Sequence, residues 1–432
     1  MKQRKYLHLI LLIPFILLGF SLSAQTETLK VMQYNLLNYG NNTGYCNATN
    51  NNVNDKDGYI RTILTAYYPD VFTVCEMGRN SSLPNDFIIN NLNINGIDYW
   101  KTSPGANSSN SSLTNCIFYN STKLTLVSHS MAQTYIRDVD VYNFKFKNDN
   151  SNKIILTCVI AHLKAGSGSD NVTKRKTMAE NIMRYLELNY RECNVLIMGD
   201  FNLYGASEPA YQTLTNNDNY PYSYFIDPVY PYGVGEWNSN GYYSNYHTQS
   251  THTDNNGCAS NGGMDDRFDF IMMSENIYTG RDGIRYNGGT YNALGQDGRH
   301  FNKSIISPMN YAVSQEVANA LYNNSDHLPI TMELTINFNI GVDEIGENTM
   351  NCDIFPNPAS ENINIRFSQN NIGKANLLLF NGLGQTVYNQ DIFVNDCVGE
   401  HVISVENLPK GMYFLRITNA DGLTDTSKII VE

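Results

Sequence analysis

Asn35 in VMQYNLLNY, Glu76 in DVFTVCEM, His162 in IILTCVIAHLK, Asp200 and Asn202 in VLIMGDFN, Asp269 in RFDFIMM, and Asp326 with His327 in SDHLPI all stand where an apolar run ends. Carboxylate and amide oxygens gathered at strand ends suit a hard divalent cation and a phosphate. Leaving a carboxylate such as Glu76 unpaired at a buried strand end costs on the order of several kcal/mol, which a metal would offset. Alone, a strand-end Glu is usually a solvated turn residue, and a single His after an apolar strand usually a structural hydrogen-bonder. Asp200 and Asn202 are one residue apart, so on an extended strand end both side chains point to one side and reach the same atoms. The pair Asp326–His327 offers an imidazole as proton acceptor near neutral pH. Neighbours on a strand point oppositely, so the carboxylate that orients His327 must come from elsewhere, with Asp269 the candidate.

These residues need a rim, and the surrounding runs supply one. LKVMQYNLL, DVFTVCEM, NCIFYN, KLTLVSHS, VDVYNFKFK, KIILTCVIAHL, NVLIMGDFN, RFDFIMMS and SDHLPITMELTI read as strands between Ser/Asn/Asp turns. Residues Tyr59 to Tyr68 have helical spacing and stop before Pro69, and Asp170 is the expected N-cap of a helix carrying Ile182, Met183, Leu186 and Leu188. Hairpin-like strands mixed with helices imply two sheets packed face to face with helices outside. Two stretches, about 203–266 and 275–324, exceed simple connections and are expected to rim the cleft. Tyr220, Tyr222, Tyr224, Tyr230, Tyr242, Tyr243 and Tyr246 in the first could stack on bases or lipids, or pack the insert onto the sheet.

The ordered set of motifs, with GDFN and SDH the most specific, resembles the endonuclease/exonuclease/phosphatase superfamily over roughly residues 27–337. That resemblance implies a four-layer α/β sandwich and Mg²⁺-assisted in-line hydrolysis of a phosphoester, Mn²⁺ being an alternative ion. It implies metal binding by Glu76, supported by Asn35, with Asp326 nearby. His327 would be the base, oriented by Asp269, and Asp200 and Asn202 would hold water and a phosphate oxygen. His162 would touch the scissile phosphate and protonate the leaving oxygen. Arg137 matches a phosphate-contacting Arg of some nuclease members. Lys164, Lys174, Arg175 and Lys176 follow His162 closely and hint at a groove that tracks phosphates, or are solvated or paired with Glu180.

The chain has 432 residues, enough for two folded units. Lys2, Arg4 and Lys5, the run LILLIPFILLGF and Ser21-Leu22-Ser23-Ala24 read as a signal peptide over 1–24. Residues 25–340 are the expected catalytic domain, 341–349 a polar linker and 350–432 a small antiparallel β-sandwich. Phe355-Pro356-Asn357-Pro358, then Leu408 to Phe414, then Lys428-Ile429-Ile430-Val431 resemble the C-terminal sorting domain of the type IX (Por) secretion system. That implies passage through the periplasm to the medium or outer surface, with the secretion machinery as partner. No second apolar run suggests a membrane span, and a monomer is expected. A formal charge of −12 argues against a general nucleic-acid coat, though a nuclease needs only a local basic groove. Of the Cys residues, Cys75, Cys116 and Cys158 read as buried thiols, and Cys46–Cys258 and Cys352–Cys397 as the candidate bridges. An extracellular nuclease is the leading function. A lipid phosphodiesterase of the sphingomyelinase kind and an inactive binding protein on the same fold are the alternatives.

Overall fold

A computed structural model describes residues 26–105, 108–149, 154–229, 235–338, 352–367, 373–394, 400–419, 422 and 424–432. The expected signal peptide, the linker 341–349, Tyr230 and Cys397 lie outside the described residues.

Among the described residues thirteen strands precede the C-terminal unit: β1 (Thr26–Tyr39), β2 (Val71–Gly78), β3 (Trp100–Pro104), β4 (Leu113–Asn120), β5 (Leu124–Gln133), β6 (Val139–Phe146), β7 (Ile155–His162), β8 (Val195–Asp200), β9 (Phe225–Ile226), β10 (Asp269–Ser274), β11 (Ile284–Tyr286), β12 (Asn292–Ala293) and β13 (Ile330–Asn337). They form two mixed sheets. One runs β11-β13-β1-β2-β4-β3, with β12 also on β13, and the other β5-β6-β7-β8-β10-β9.

The strand period of two decides the layering. Leu29, Val31, Cys75, Ile117, Met332 and Leu334 of the first sheet meet Phe144, Cys158, Ile160, Leu196, Met198 and Ile271 of the second in one buried cluster. The intervening residues face outward on each side. Val159, Ala161, Val195, Ile197, Phe270 and Met272 pack under the helix Ser169–Asn189 through Met178, Ile182, Met183 and Leu186. Met32, Tyr34, Phe72, Val74 and Phe118 pack under the helices Val53–Ala66 and Gln315–Asn324 through Ile60, Ile63, Val317 and Leu321. Each such aliphatic or aromatic side chain, fully buried, contributes ~1.5–3 kcal/mol. The result is a four-layer α/β sandwich.

The helix boundaries depart from expectation for local reasons. The first helix begins at Val53, well before Tyr59, because the Asn52 side chain accepts the Asn54 N–H as an N-cap. Gly168, not Asp170, is the N-cap of the helix Ser169–Asn189, and Asp170 lies in its first turn. The two long inserts carry regular structure of their own: the first holds the helix Pro209–Thr215 and a 3₁₀ turn at Gly241–Tyr246, the second the helix Gln315–Asn324. Tyr220 and Tyr243 pack against the sheet, whereas Tyr222 and Tyr242 are exposed.

Cys46 and Cys258 form the expected disulfide, joining the loop after β1 to the first insert across 212 positions. Cys75, Cys116 and Cys158 are buried thiols. In the C-terminal unit, Cys352–Phe355, Asn362–Phe367 and Glu400–Ser404 make one antiparallel sheet. Gly373–Asn381, Thr386–Val394, Gly411–Asn419 and Thr424–Val431 make another. Ile363, Ile365, Leu377, Leu379, Leu415 and Ile429 share a core of their own.

Candidate active site

Sheet topology alone brings the motifs to one rim. β1 is parallel to β2 and β7 to β8, so Asn35, Glu76, His162 and Asp200 fall at corresponding strand ends. β13 is antiparallel to β1 and β10 to β8, so Asp326–His327, just ahead of β13, and Asp269, the first residue of β10, arrive at the same edge. Register seats Asp200 between His162 on one side and Asp269 on the other.

Local irregularities aim the side chains. The pairing of β2 with β4 shifts register between Val74 and Met77, and Glu76 there has φ +62°. A non-glycine residue held at positive φ stores ~1–3 kcal/mol, which surrounding contacts must offset. Here the Asn38 backbone N–H donates to Glu76 Oε2 at 3.1 Å, and Asn35 Nδ2 to Oε1 at 3.1 Å. Gly199, at φ +148°, admits no side chain: a Cβ would fall 1.7 Å from the Ala161 carbonyl oxygen of β7. The glycine of GDFN is thus what lets β8 lie close enough to β7 to set Asp200 beside His162.

Asn35, fully buried, is the hub. Its Oδ1 accepts from the Leu37 N–H at 2.9 Å, which turns Nδ2 toward Glu76 Oε1, Asp200 Oδ2 (3.0 Å) and His327 Nε2 (3.4 Å). Asp200 Oδ1 accepts from the Asn202 backbone and side-chain amides at 3.0 and 2.9 Å. His162 Nε2 lies 3.4 Å from Asp200 Oδ2 and 3.8 Å from Glu76 Oε1. The Nδ1–H of His327 donates to Asp269 Oδ2 at 2.7 Å, the orientation expected for this pair. Asp326 Oδ2 accepts the Ser260 N–H at 2.8 Å and the Gln249 side-chain amide at 3.1 Å.

Ligand atoms of Glu76, His162 and Asp200 all lie within 4.8 Å of one another. Asp326, expected near the metal with Asn35 and Glu76, is outside that group, and Asn35 presents its amide nitrogen, a donor, to the carboxylates. The residues fit a cation on electrostatic grounds. Burial, together with the Asp269 and Glu76 charges, pushes Asp200 up to about 7 despite His327 and Arg137. Crowded carboxylates whose charge opposes itself are what a divalent ion relieves.

Burial, Arg137, His327 and Lys164 hold His162 well below 6.5, so it is a neutral imidazole at physiological pH. Burial also opposes a charge on His327, but Asp269, Asp326 and Asp200 outweigh it and raise that ring well above 6.5.

The basic residues divide. Arg137 abuts His162 in a small cleft with Asn115 and Asp138, and donates to the Leu163 carbonyl. Lys164 is half-buried beside it. Arg175 is corrected: it is fully buried, pairs with Glu208 and donates to the Lys164 and Gly166 carbonyls at 2.7 Å, so it braces the loop after His162 and does not face substrate. Lys174 pairs with Asp170 and Lys176 with Glu180, so both have acidic neighbours rather than an open groove.

Motif reading missed Gln249 and Lys56. Lys56, fully buried in the first helix, donates to the Leu37 carbonyl at 3.2 Å and to the Asn324 carbonyl, stitching the end of β1 to the loop that carries Asp326 and His327. Burial brings its ammonium down to about 7, with Asp326 and Glu76 opposing that fall. A Lys in the first turn of a helix, within a polar run, gives no sign of such use.

The raised Asp200 makes one stability prediction. An acid whose folded value lies above its unfolded value stabilises while protonated, and that contribution is lost as pH rises from about 4 through about 7. A shift of this kind is worth on the order of a few kcal/mol. Without metal, Asp200→Asn should therefore melt higher than the wild type at pH 7.5, with the difference fading at pH 4. A melting temperature for Asp200→Asn that is lower at pH 7.5 in chelator would contradict this.

Residues 353–432 match the secretion system C-terminal sorting domain. No curated protein matches the chain. Among solved structures, an endonuclease/exonuclease/phosphatase family protein from Bacteroides thetaiotaomicron is similar at 14% identity, covering 73% of this chain and 97% of its own, with a TM-score of 0.44. D. rerio TDP2 complexed with a single-strand DNA product is similar at 13%, covering 71% and 98%, with a TM-score of 0.45. The human Nocturnin catalytic domain with bound sulfate is similar at 12%, covering 73% and 98%, with a TM-score of 0.43. The sorting domain indicates a secreted or cell-surface protein. Among the described residues no helix is long and apolar enough to cross a membrane.

Proposed function

We propose that this chain is a secreted, metal-dependent phosphoesterase that hydrolyses phosphodiester bonds of nucleic acid. The observation that carries the reading is the meeting of Glu76, His162 and Asp200 at one rim, directly beside the Asp269–His327 pair. Glu76 and Asp200, with His162, would hold Mg²⁺ or Mn²⁺. A bound ion would offset charge on the phosphoryl oxygens. His327, its Nδ1–H fixed on Asp269, takes the proton of the attacking water at Nε2. Asn202 and Arg137 bind phosphoryl oxygens. Positioning and charge neutralisation carry most of the rate in such a reaction.

Arg137 and Lys164 beside His162 favour nucleic acid over lipid, as does the lack, among the described residues of the inserts, of an exposed hairpin with consecutive large aliphatics. Residues 25–340 act as the catalytic domain, and the C-terminal domain addresses the protein to the type IX machinery and beyond the outer membrane. We expect a monomer in solution.

The test is a substrate panel in Mg²⁺ with Glu76→Gln as control: plasmid DNA, single-stranded DNA, RNA and sphingomyelin vesicles. Cleavage of nucleic acid by the wild type alone is the expected result. Head-group release without nucleic-acid cleavage would replace the nuclease by a lipid phosphodiesterase, and no hydrolysis at all would leave a binding protein.

A further inference from the structure

The first insert sends into the site a side chain that belongs to none of the strand-end motifs. Gln249 lies in the loop segment 248–251, which is tied on both edges. The Thr248 N–H donates to the Asp266 carbonyl at 2.7 Å, the Leu328 N–H to the Thr248 carbonyl at 2.8 Å, and the Thr251 N–H to the Asp326 carbonyl at 3.0 Å. The Gln249 carbonyl accepts from the Asp265 and Asp266 N–H groups, each at 3.0 Å. Thr248 also accepts the Phe268 and Asp269 N–H groups on its hydroxyl, at 3.1 and 3.2 Å. A backbone held this way leaves only side-chain torsions to move.

The Gln249 amide nitrogen is 3.1 Å from Asp326 Oδ2 and 2.7 Å from His327 Nε2. In the neutral ring that serves as the base, with Nδ1–H on Asp269, Nε2 carries the lone pair, so one amide N–H goes to the carboxylate and the other to the imidazole. Nε2 is also the atom that must receive the proton of water. Hydrolysis therefore requires Gln249 to give up this hydrogen bond. Asp326 keeps hold of the other N–H and the backbone stays in place, so the released N–H is left beside His327 Nε2 to donate to another acceptor. A neutral amide can make that exchange at small cost, because one hydrogen bond replaces another of similar strength. A Lys or Arg at this position would stay paired with Asp326.

We propose that Gln249 is a further catalytic residue of the hydrolysis proposed above: on substrate binding its amide leaves His327 Nε2 and donates to a non-bridging phosphoryl oxygen. This rests on the phosphoesterase reading. In the step itself the water oxygen bonds to phosphorus, its proton passes to His327 Nε2, and the bond from phosphorus to the leaving oxygen breaks with its electron pair on that oxygen, which takes a proton from solvent water. Nothing is oxidised or reduced. The preorganised donor strengthens as charge builds on the phosphoryl oxygens.

The experiment measures kcat and KM in Mg²⁺ for wild type, Gln249→Ala and the near-isosteric Gln249→Met on a defined oligonucleotide and on its separate Rp and Sp phosphorothioate forms at the cleaved linkage. Both variants should lose roughly 10²-fold in kcat with KM within about threefold. Sulfur accepts hydrogen bonds poorly, so one diastereomer should be penalised more than the other in the wild type, and that difference should shrink in both variants. A residue that only props Asp326 and His327 would slow both diastereomers in step, and that outcome overturns the assignment. So does an unchanged or raised kcat, which would make Gln249 a cap on the base. Where Gln249→Ala melts early, Gln249→Met decides. A wild type inactive on every phosphodiester removes the phosphoesterase reading and this inference together, whereas an active wild type with variants at parity removes the inference alone.

Discussion

Glu76→Gln should lower turnover on a phosphodiester by ~10²–10³-fold and remove the response to Mg²⁺ while the protein stays folded. The substitution keeps the shape of the side chain and one oxygen for the Asn38 N–H, so the hydrogen bond that helps hold residue 76 at φ +62° survives. What is lost is the charge facing Asp200 and His162. A second readout separates metal binding from chemistry. A ligand that binds only the folded state raises the melting temperature as its concentration exceeds its dissociation constant. Mg²⁺ should therefore raise the melting temperature of the wild type and leave Glu76→Gln unmoved. The variant itself should melt no lower than the wild type in chelator, because removing one of the crowded carboxylates relieves the repulsion that, added to burial, pushes Asp200 up to about 7. Full wild-type activity in excess chelator would sink the metal reading.

Much of this site was legible because strand ends are written in sequence. An apolar run stopping at Glu76 or Asp200 fixes the layer and the end of the strand at once, and β pairing fixes which ends are neighbours. The Asp269–His327 contact was reachable by the same logic, since Asp326 and His327 cannot both point at one partner. Three features were not reachable. Arg175 carries the charge of a phosphate ligand, but its helix turns it toward Glu208, a partner 33 positions away, and no local pattern records that burial. Asn35 looks like an oxygen ligand until the Leu37 N–H claims Oδ1 and turns its nitrogen to the carboxylates. Gln249 sits amid Tyr, Asn, Ser and Thr in an insert with no strand period, so its aim depends on hydrogen bonds to Asp266 and Asp326 that only the folded chain makes.

Asp269→Asn should cost about as much as deleting the base, although Asp269 touches no substrate. His327 must offer a lone pair at Nε2, which requires its proton at Nδ1, and Asp269 Oδ2 at 2.7 Å secures that tautomer. An asparagine can present its amide N–H to Nδ1, which drives the proton to Nε2 and leaves the ring unable to accept from water. The equivalent change in a Ser-His-Asp triad costs about 10⁴-fold, and His327→Ala should fall in the range of roughly 10²–10⁴-fold as well. The pH profile distinguishes the two. Burial disfavours the charged ring, but Asp269, Asp326 and Asp200 dominate and set His327 well above 6.5, so the wild-type rate should climb with pH along a limb lying above 6.5. Taking away the Asp269 charge weakens the imidazolium, so the limb in Asp269→Asn should move to lower pH even as the plateau falls. Stability follows the same sign. A raised His327 stabilises the fold fully below 6.5 and loses that contribution as pH rises through its elevated value, so Asp269→Asn should destabilise most under acidic conditions. Rate profiles and melting curves from pH 5 to 9 test both, and a limb that stays fixed or moves alkaline would exclude Asp269 as the group that orients the base.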